Sequence, residues 1–79
     1  MESNKKAPVF KAKVGGIEAA VWNNETKEGS YMTVTAERSY KDKDNKWQKT
    51  GSMRVNDLPK VVLALNKCYE FITMNSKED

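Results

Sequence analysis

One stretch of this chain has the period of a long amphipathic helix, and it comes last: Asn56 to Met74, reading N-D-L-P-K-V-V-L-A-L-N-K-C-Y-E-F-I-T-M. At 100° per residue, Leu58, Val61, Val62, Leu65, Cys68, Tyr69 and Ile72 fall on one arc, the apolar stripe that a helix lays on a sheet. Asn56 fits the N-cap, and Asp57 sets a carboxylate at the positive end of the helix dipole. Pro59 falls within the first turn, whose amide groups have no intrahelical acceptor. A helix covering one small sheet should be polar on its far side, but Leu63, Phe71 and Met74 group there between Lys60, Lys67 and Glu70. A second apolar face calls for a second partner, most simply another copy of the chain, with Leu63, Phe71 and Met74 at the dimer interface.

Everything before the helix reads as short strands. Val9 to Val14 alternates, with Phe10, Ala12 and Val14 on one face and Lys11 and Lys13 on the other. Gly15-Gly16 marks a two-residue hairpin, a turn that needs positive φ at its centre. Ile17 to Trp22 then places Ile17, Ala19 and Val21 inward and Glu18, Ala20 and Trp22 outward. Asn23 to Gly29 reads as a polar connection. The third strand, Ser30 to about Tyr40, points Met32, Val34 and Ala36 one way and Tyr31, Thr33, Thr35, Glu37 and Ser39 the other. Its parity would carry Arg38 and Tyr40 inward, but its length predicts a far end that projects beyond the helix or bends at a bulge. Lys41 to Lys46 forms a charged hairpin tip. The fourth strand, Trp47 to Val55, sends Met53 and Val55 to the core and Gln48, Thr50, Ser52 and Arg54 outward; Trp47 shares the core parity.

The expected fold class is therefore α+β, a four-stranded antiparallel meander followed by one C-terminal helix on one sheet face (ββββα). The expected domain spans residues 8–74, with disordered tails at 1–7 and 75–79. In 79 residues a core buries only about 60% of the unfolded chain's surface, so a second subunit is the available stabiliser: one cysteine cannot form an internal disulfide, and there is no histidine. Cys68 reads as a small apolar core residue. No signal peptide or membrane span is evident, and the expected location is cytoplasmic.

No histidine, nucleophile with an adjacent base, phosphate-cradling loop or metal-ligand spacing is present, so neither an enzyme nor a cofactor is expected. The net charge of +3 is modest, but Arg38 to Arg54 holds six basic residues against two acidic ones. The face that the helix leaves uncovered should carry Lys11, Lys13, Trp22, Tyr31, Thr33, Thr35, Thr50, Ser52 and Arg54. Bases stack on exposed aromatics while lysine and arginine track phosphates, so this alternation points to single-stranded DNA, or RNA, rather than to a duplex. Trp22 carries that reading most strongly, since a tryptophan on a polar face is costly to leave bare. Trp47 and Tyr40 read as residues at the core's edge. The competing expectation is a protein-interaction or regulatory module using Trp22, Tyr31, Leu63, Phe71 and Met74.

In layout the chain resembles the single-stranded-DNA-binding domains of the positive cofactor 4 transcriptional coactivators. The carriers are four strands then one helix, R-S-Y-K-D-K-D-N-K-W at Arg38 to Trp47, K-T-G-S-M-R-V at Lys49 to Val55, and the capped helix that ends the domain. The resemblance covers about Phe10 to Met74. It implies a homodimer paired through helices and sheet edges, a role in transcription regulation, and single-stranded DNA held on curved sheets by Lys11, Lys13, Trp22, Tyr31, Arg38, Lys46, Lys49 and Arg54. The hairpin's basic-glycine segment, Lys49-Thr50-Gly51, is shorter than is usual in that family.

Overall fold

In the computed structural model, which describes residues 7–75, four antiparallel strands lie in sequence order in one sheet: β1 (Phe10–Val14), β2 (Ile17–Thr26), β3 (Gly29–Lys41) and β4 (Trp47–Thr50). A 3₁₀ turn at Val55–Asp57 leads into the helix α1 (Leu58–Asn75). This is the expected α+β, ββββα arrangement. Of the expected tails, all but Ala7 and Asn75 lie outside the described residues, and Asn75 closes α1.

The β1–β2 hairpin turns at Gly15-Gly16, with Val14 opposite Ile17 and Gly15 at φ 62°. In that backbone region a side chain would be strained, which is why glycine stands there. The segment expected as a polar connection is instead mostly strand. β2 continues to Thr26, β3 begins at Gly29, and only Lys27 and Glu28 turn the chain. Asn24 helps to hold this extension, donating from Nδ2 to Thr33 Oγ1 at 3.0 Å. Alternation had identified apolar strand, but here polar cross-strand bonds extend the ladder without it. Pairing along β3 keeps one register from Gly29 to Lys41, with no bulge.

Across the other end, Asp42 organises the β3–β4 turn. Its Oδ1 accepts from the backbone N–H groups of Asp44 and Lys46, and its Oδ2 accepts from Gln48 Nε2. The bond from the Lys46 N–H, then that from Gln48, holds the Asp42 carboxyl below its usual range. Asp42 therefore shapes the tip as well as solubilising it.

α1 packs mainly over β1 and β2 and touches β3 less. Its buried contact is made by Ala64 and Cys68 against Ala12, Ile17, Ala19 and Val21, with Val61, Phe71 and Ile72 packed around them. Burial pushes the Cys68 thiol's pKa up, in keeping with a core role. The expected stripe is thus right for Val61, Cys68 and Ile72 and wrong for Leu58, Val62, Leu65 and Tyr69, which are exposed. The cause is size. Beneath the helix the sheet presents Ala12 and Ala19 beside Ile17 and Val21, so the small Ala64 and Cys68 make the close seam and the larger side chains stand beside it, exposed. Phe71, expected at a dimer interface, stacks on Phe10 with ring centroids 4.6 Å apart and the planes 11° from parallel. Leu63 and Met74 remain exposed.

The helix start also differs. Asn56 lies inside the 3₁₀ turn rather than at a cap, and the residue that caps that turn is Arg54: its backbone N–H donates to Asp57 Oδ2 at 3.0 Å, the returning half of a capping box. Val55, expected in the core, is exposed, while Met53 does pack against it. Both differences arise because β4 ends at Thr50, so strand parity cannot be extended past Gly51.

Candidate nucleic-acid interface

The face of the sheet opposite α1 can be read from the register. β1 contributes Lys11 and Lys13, and β2 contributes Glu18, Ala20, Trp22 and Asn24. β3 contributes the odd positions from Tyr31 to Lys41, and β4 contributes Trp47 and Lys49. From Tyr31 to Lys41 the face runs about 33 Å along β3 at a rise of ~3.3 Å per residue.

Trp22 lies on this face, half-buried, and its indole Nε1–H donates to Thr35 Oγ1 at 2.9 Å. With that donor satisfied, a ligand need only meet the ring. Tyr31 stands exposed two residue pairs nearer the β2–β3 turn. At the opposite end Trp47 is 68% exposed, and Lys41 Nζ lies 5.3 Å from its ring centroid. Trp47 is the aromatic whose face the strand pattern misplaced. Counting back from Met53 put it in the core, whereas its pairing with Lys41 puts it on the open face. The same pairing reverses the expected faces of Gln48 and Thr50, which lie on the helix side opposite Tyr40 and Arg38.

Between the aromatics is a cleft of about 330 Å³ lined by Lys11, Glu18, Ala20, Trp22, Thr35, Glu37 and Lys49. Two lysines from the two edge strands meet over its carboxylates. Lys11 Nζ is 3.2 Å from Glu18 Oε2; Lys49 Nζ is 3.6 Å from Glu18 Oε1 and 3.9 Å from Glu37 Oε1. The hydrogen bond from Lys11 lowers the Glu18 carboxyl's pKa, opposed by partial burial and aided by Lys49.

Three of the expected binding residues are placed differently from the rest. Arg38 is on the helix side, where its Nε donates to the Ser52 carbonyl at 3.1 Å and lies 3.3 Å from Asp57 Oδ2. It bolts β3 to the segment that starts the helix, and of the two expectations for the far end of that strand the bulge is not found. Replacing Arg38 by Met is expected to destabilise the fold by about 2 kcal/mol, the scale of a lost charged hydrogen bond. Oligonucleotide affinity should be unchanged, and a urea melt paired with an oligo-dT titration checks both. Arg54 is exposed beyond the end of β4 and belongs to neither row of the sheet. Lys46 sits in the β3–β4 turn, next to Trp47.

The chain is thus a small α+β domain, an open antiparallel sheet backed by one helix, with aromatic and cationic side chains on its bare face. No family model matches the chain, and no curated protein or solved structure matches it either. Among the described residues no helix is long and apolar enough to cross a membrane, and no group of three His, Cys, Asp or Glu side chains could hold a metal ion.

Proposed function

We propose that this protein binds single-stranded nucleic acid, DNA by preference, on the uncovered face of its sheet, with little dependence on sequence, and that it does so as an intracellular homodimer. The observation that carries the reading is the row of Tyr31, Trp22 and Trp47 on one face, interleaved with Lys11, Lys13, Lys41 and Lys49. Aromatic faces accept any base, and lysines supply charge to the phosphates without selecting among sequences. The layout's resemblance to positive cofactor 4 domains supports the same reading, including a role in transcription. Lys11, Lys13, Trp22, Tyr31 and Lys49 keep the roles the sequence pointed to, joined by Lys41 and Trp47, with Lys46 at the margin.

A second copy of the chain would have apolar surface to cover on the helix side. Leu58, Val62, Leu65 and Tyr69 are exposed there, as are Met32 and Val34 of β3, which the helix leaves bare. That surface also favours the second reading, a module that contacts a different protein, and solution mass separates the two. The expected result is a dimer that binds labelled oligo-dT at low salt. With four lysines per chain on phosphates, log affinity should fall with log salt at a slope of about −3. A monomer indifferent to oligonucleotides would favour the second reading.

A further inference from the structure

We propose that Glu18 is a built-in competitor for the phosphates of the bound strand: in the free protein it holds Lys11 and Lys49, and when a single strand binds it gives them up and takes a proton from solvent. The inference rests on the nucleic-acid reading above and concerns the regulation of the same face.

The geometry carries it. Lys11 belongs to one edge strand and Lys49 to the other, yet both reach inward to the two oxygens of one carboxylate on β2, at 3.2 and 3.6 Å. The Glu18 side chain is 19% exposed, whereas those of Lys11 and Lys49 are 58% and 56% exposed. The ammonium groups are therefore within reach of a ligand that the carboxylate underneath is not. An anion on this face meets lysines already neutralised from below.

Removing them leaves Glu18 in poor company. Its neighbour across β2–β3 is Glu37, and like charges directly opposite on a sheet repel. Across β1–β2 it faces Lys13. The charged groups that face Glu18 are thus Lys11 and Lys13 from β1, Glu37 from β3 and Lys49 from β4; α1 lies on the other side of the sheet. Once Lys11 and Lys49 turn to phosphate, Glu18 keeps one cation against Glu37 and the incoming strand. Its pKa, held down in the free protein chiefly by Lys11, must then rise.

The sign of the linkage follows. Between the lower pKa of the free state and the higher pKa of the bound state, binding takes up a proton, so affinity grows as pH falls. Oligo-dT is the probe of choice, because thymine does not titrate in that range. Its affinity for the wild-type protein is expected to rise about tenfold between about pH 7.5 and about pH 5. Glu18→Gln, which keeps the shape but not the charge, should bind about tenfold more tightly at neutral pH and lose most of the pH dependence. Glu25→Gln, the same charge change near the β2–β3 turn, should gain less than about twofold. Thermal melting confirms that each variant is folded.

Equal gains from the two substitutions, or a wild-type affinity flat with pH, would overturn the role of Glu18 while leaving nucleic-acid binding intact. Binding that appears only in Glu18→Gln would support it strongly. No binding by the wild type or by Glu18→Gln at low salt would overturn the nucleic-acid reading, and the inference with it.

Discussion

Replacing Trp22 and Trp47 together by alanine is expected to weaken oligo-dT binding by about a hundredfold at low salt. A base stacked on an aromatic contributes about 1–3 kcal/mol, and each 1.4 kcal/mol is about a factor of ten, so two platforms together support a loss of that size. The two single variants carry different information. Trp47 is 68% exposed, with Lys41 as its aromatic-cation neighbour. Its removal should leave the urea midpoint nearly unchanged and lower affinity about tenfold. Trp22 is half-buried beside Ala20 and bonded to Thr35, so its removal should cost stability as well as affinity. Trp22→Phe keeps a ring while removing the donor, and it leaves Trp47 as the only tryptophan. Quenching of the remaining fluorescence by oligo-dT then reports on Trp47 directly. If Trp47 emission does not respond and Trp47→Ala binds like the wild type, the uncovered face is not where bases stack.

Why Trp47 was hidden in the sequence is instructive. Inward and outward alternate cleanly along an isolated strand, and that rule placed Lys11, Ala12, Lys13 and the inward residues of β2 correctly. For β4 the alternation was anchored on Met53, three residues beyond the strand's end. Gly51 breaks the ladder, and Arg38 bonds the Ser52 carbonyl in place of a strand partner. Nothing local records that a long-range side chain has taken over the backbone's acceptor. Strand existence was legible because it depends on local pattern, whereas the face of β4 depended on a partner far away in sequence.

The helix teaches the same lesson from packing. Its existence and length were legible because its apolar residues recur with the helical period over many turns. Which arc meets the sheet was not, because both flanks are apolar and periodicity weights large side chains. The close seam is made instead by Ala64 and Cys68 over Ala12 and Ala19, residues whose value lies in being small. The candidate site divides likewise. Lys11, Lys13, Trp22 and Tyr31 followed from alternation alone. The clasp of Lys11 and Lys49 on Glu18 needed the register across all four strands, because it joins the two edges of the sheet.

Ile17→Ala is expected to cost about 2–5 kcal/mol and so to remove a large part of the protein's stability. Ile17 is fully buried at the start of β2, opposite Val14 and beside Arg38, and it is one of the three largest side chains with no exposure. Truncating such a residue loses its transfer free energy and opens a cavity that a close-packed seam cannot collapse. A domain of this size has a total stability of about 4–12 kcal/mol at the usual 0.05–0.15 kcal/mol per residue, so the loss is a large part of the whole. Urea denaturation read by circular dichroism measures it. Leu65→Ala supplies the contrast, since Leu65 is 39% exposed on the helix flank and should cost only about 1 kcal/mol in an isolated chain. If a second copy covers that flank, Leu65→Ala becomes nearly as damaging as a core truncation, and both midpoints rise with protein concentration, because dimer formation stabilises the fold by mass action. A core loss from Ile17→Ala together with a concentration-independent, harmless Leu65→Ala would describe a chain that folds alone and leaves its apolar flank for some other partner.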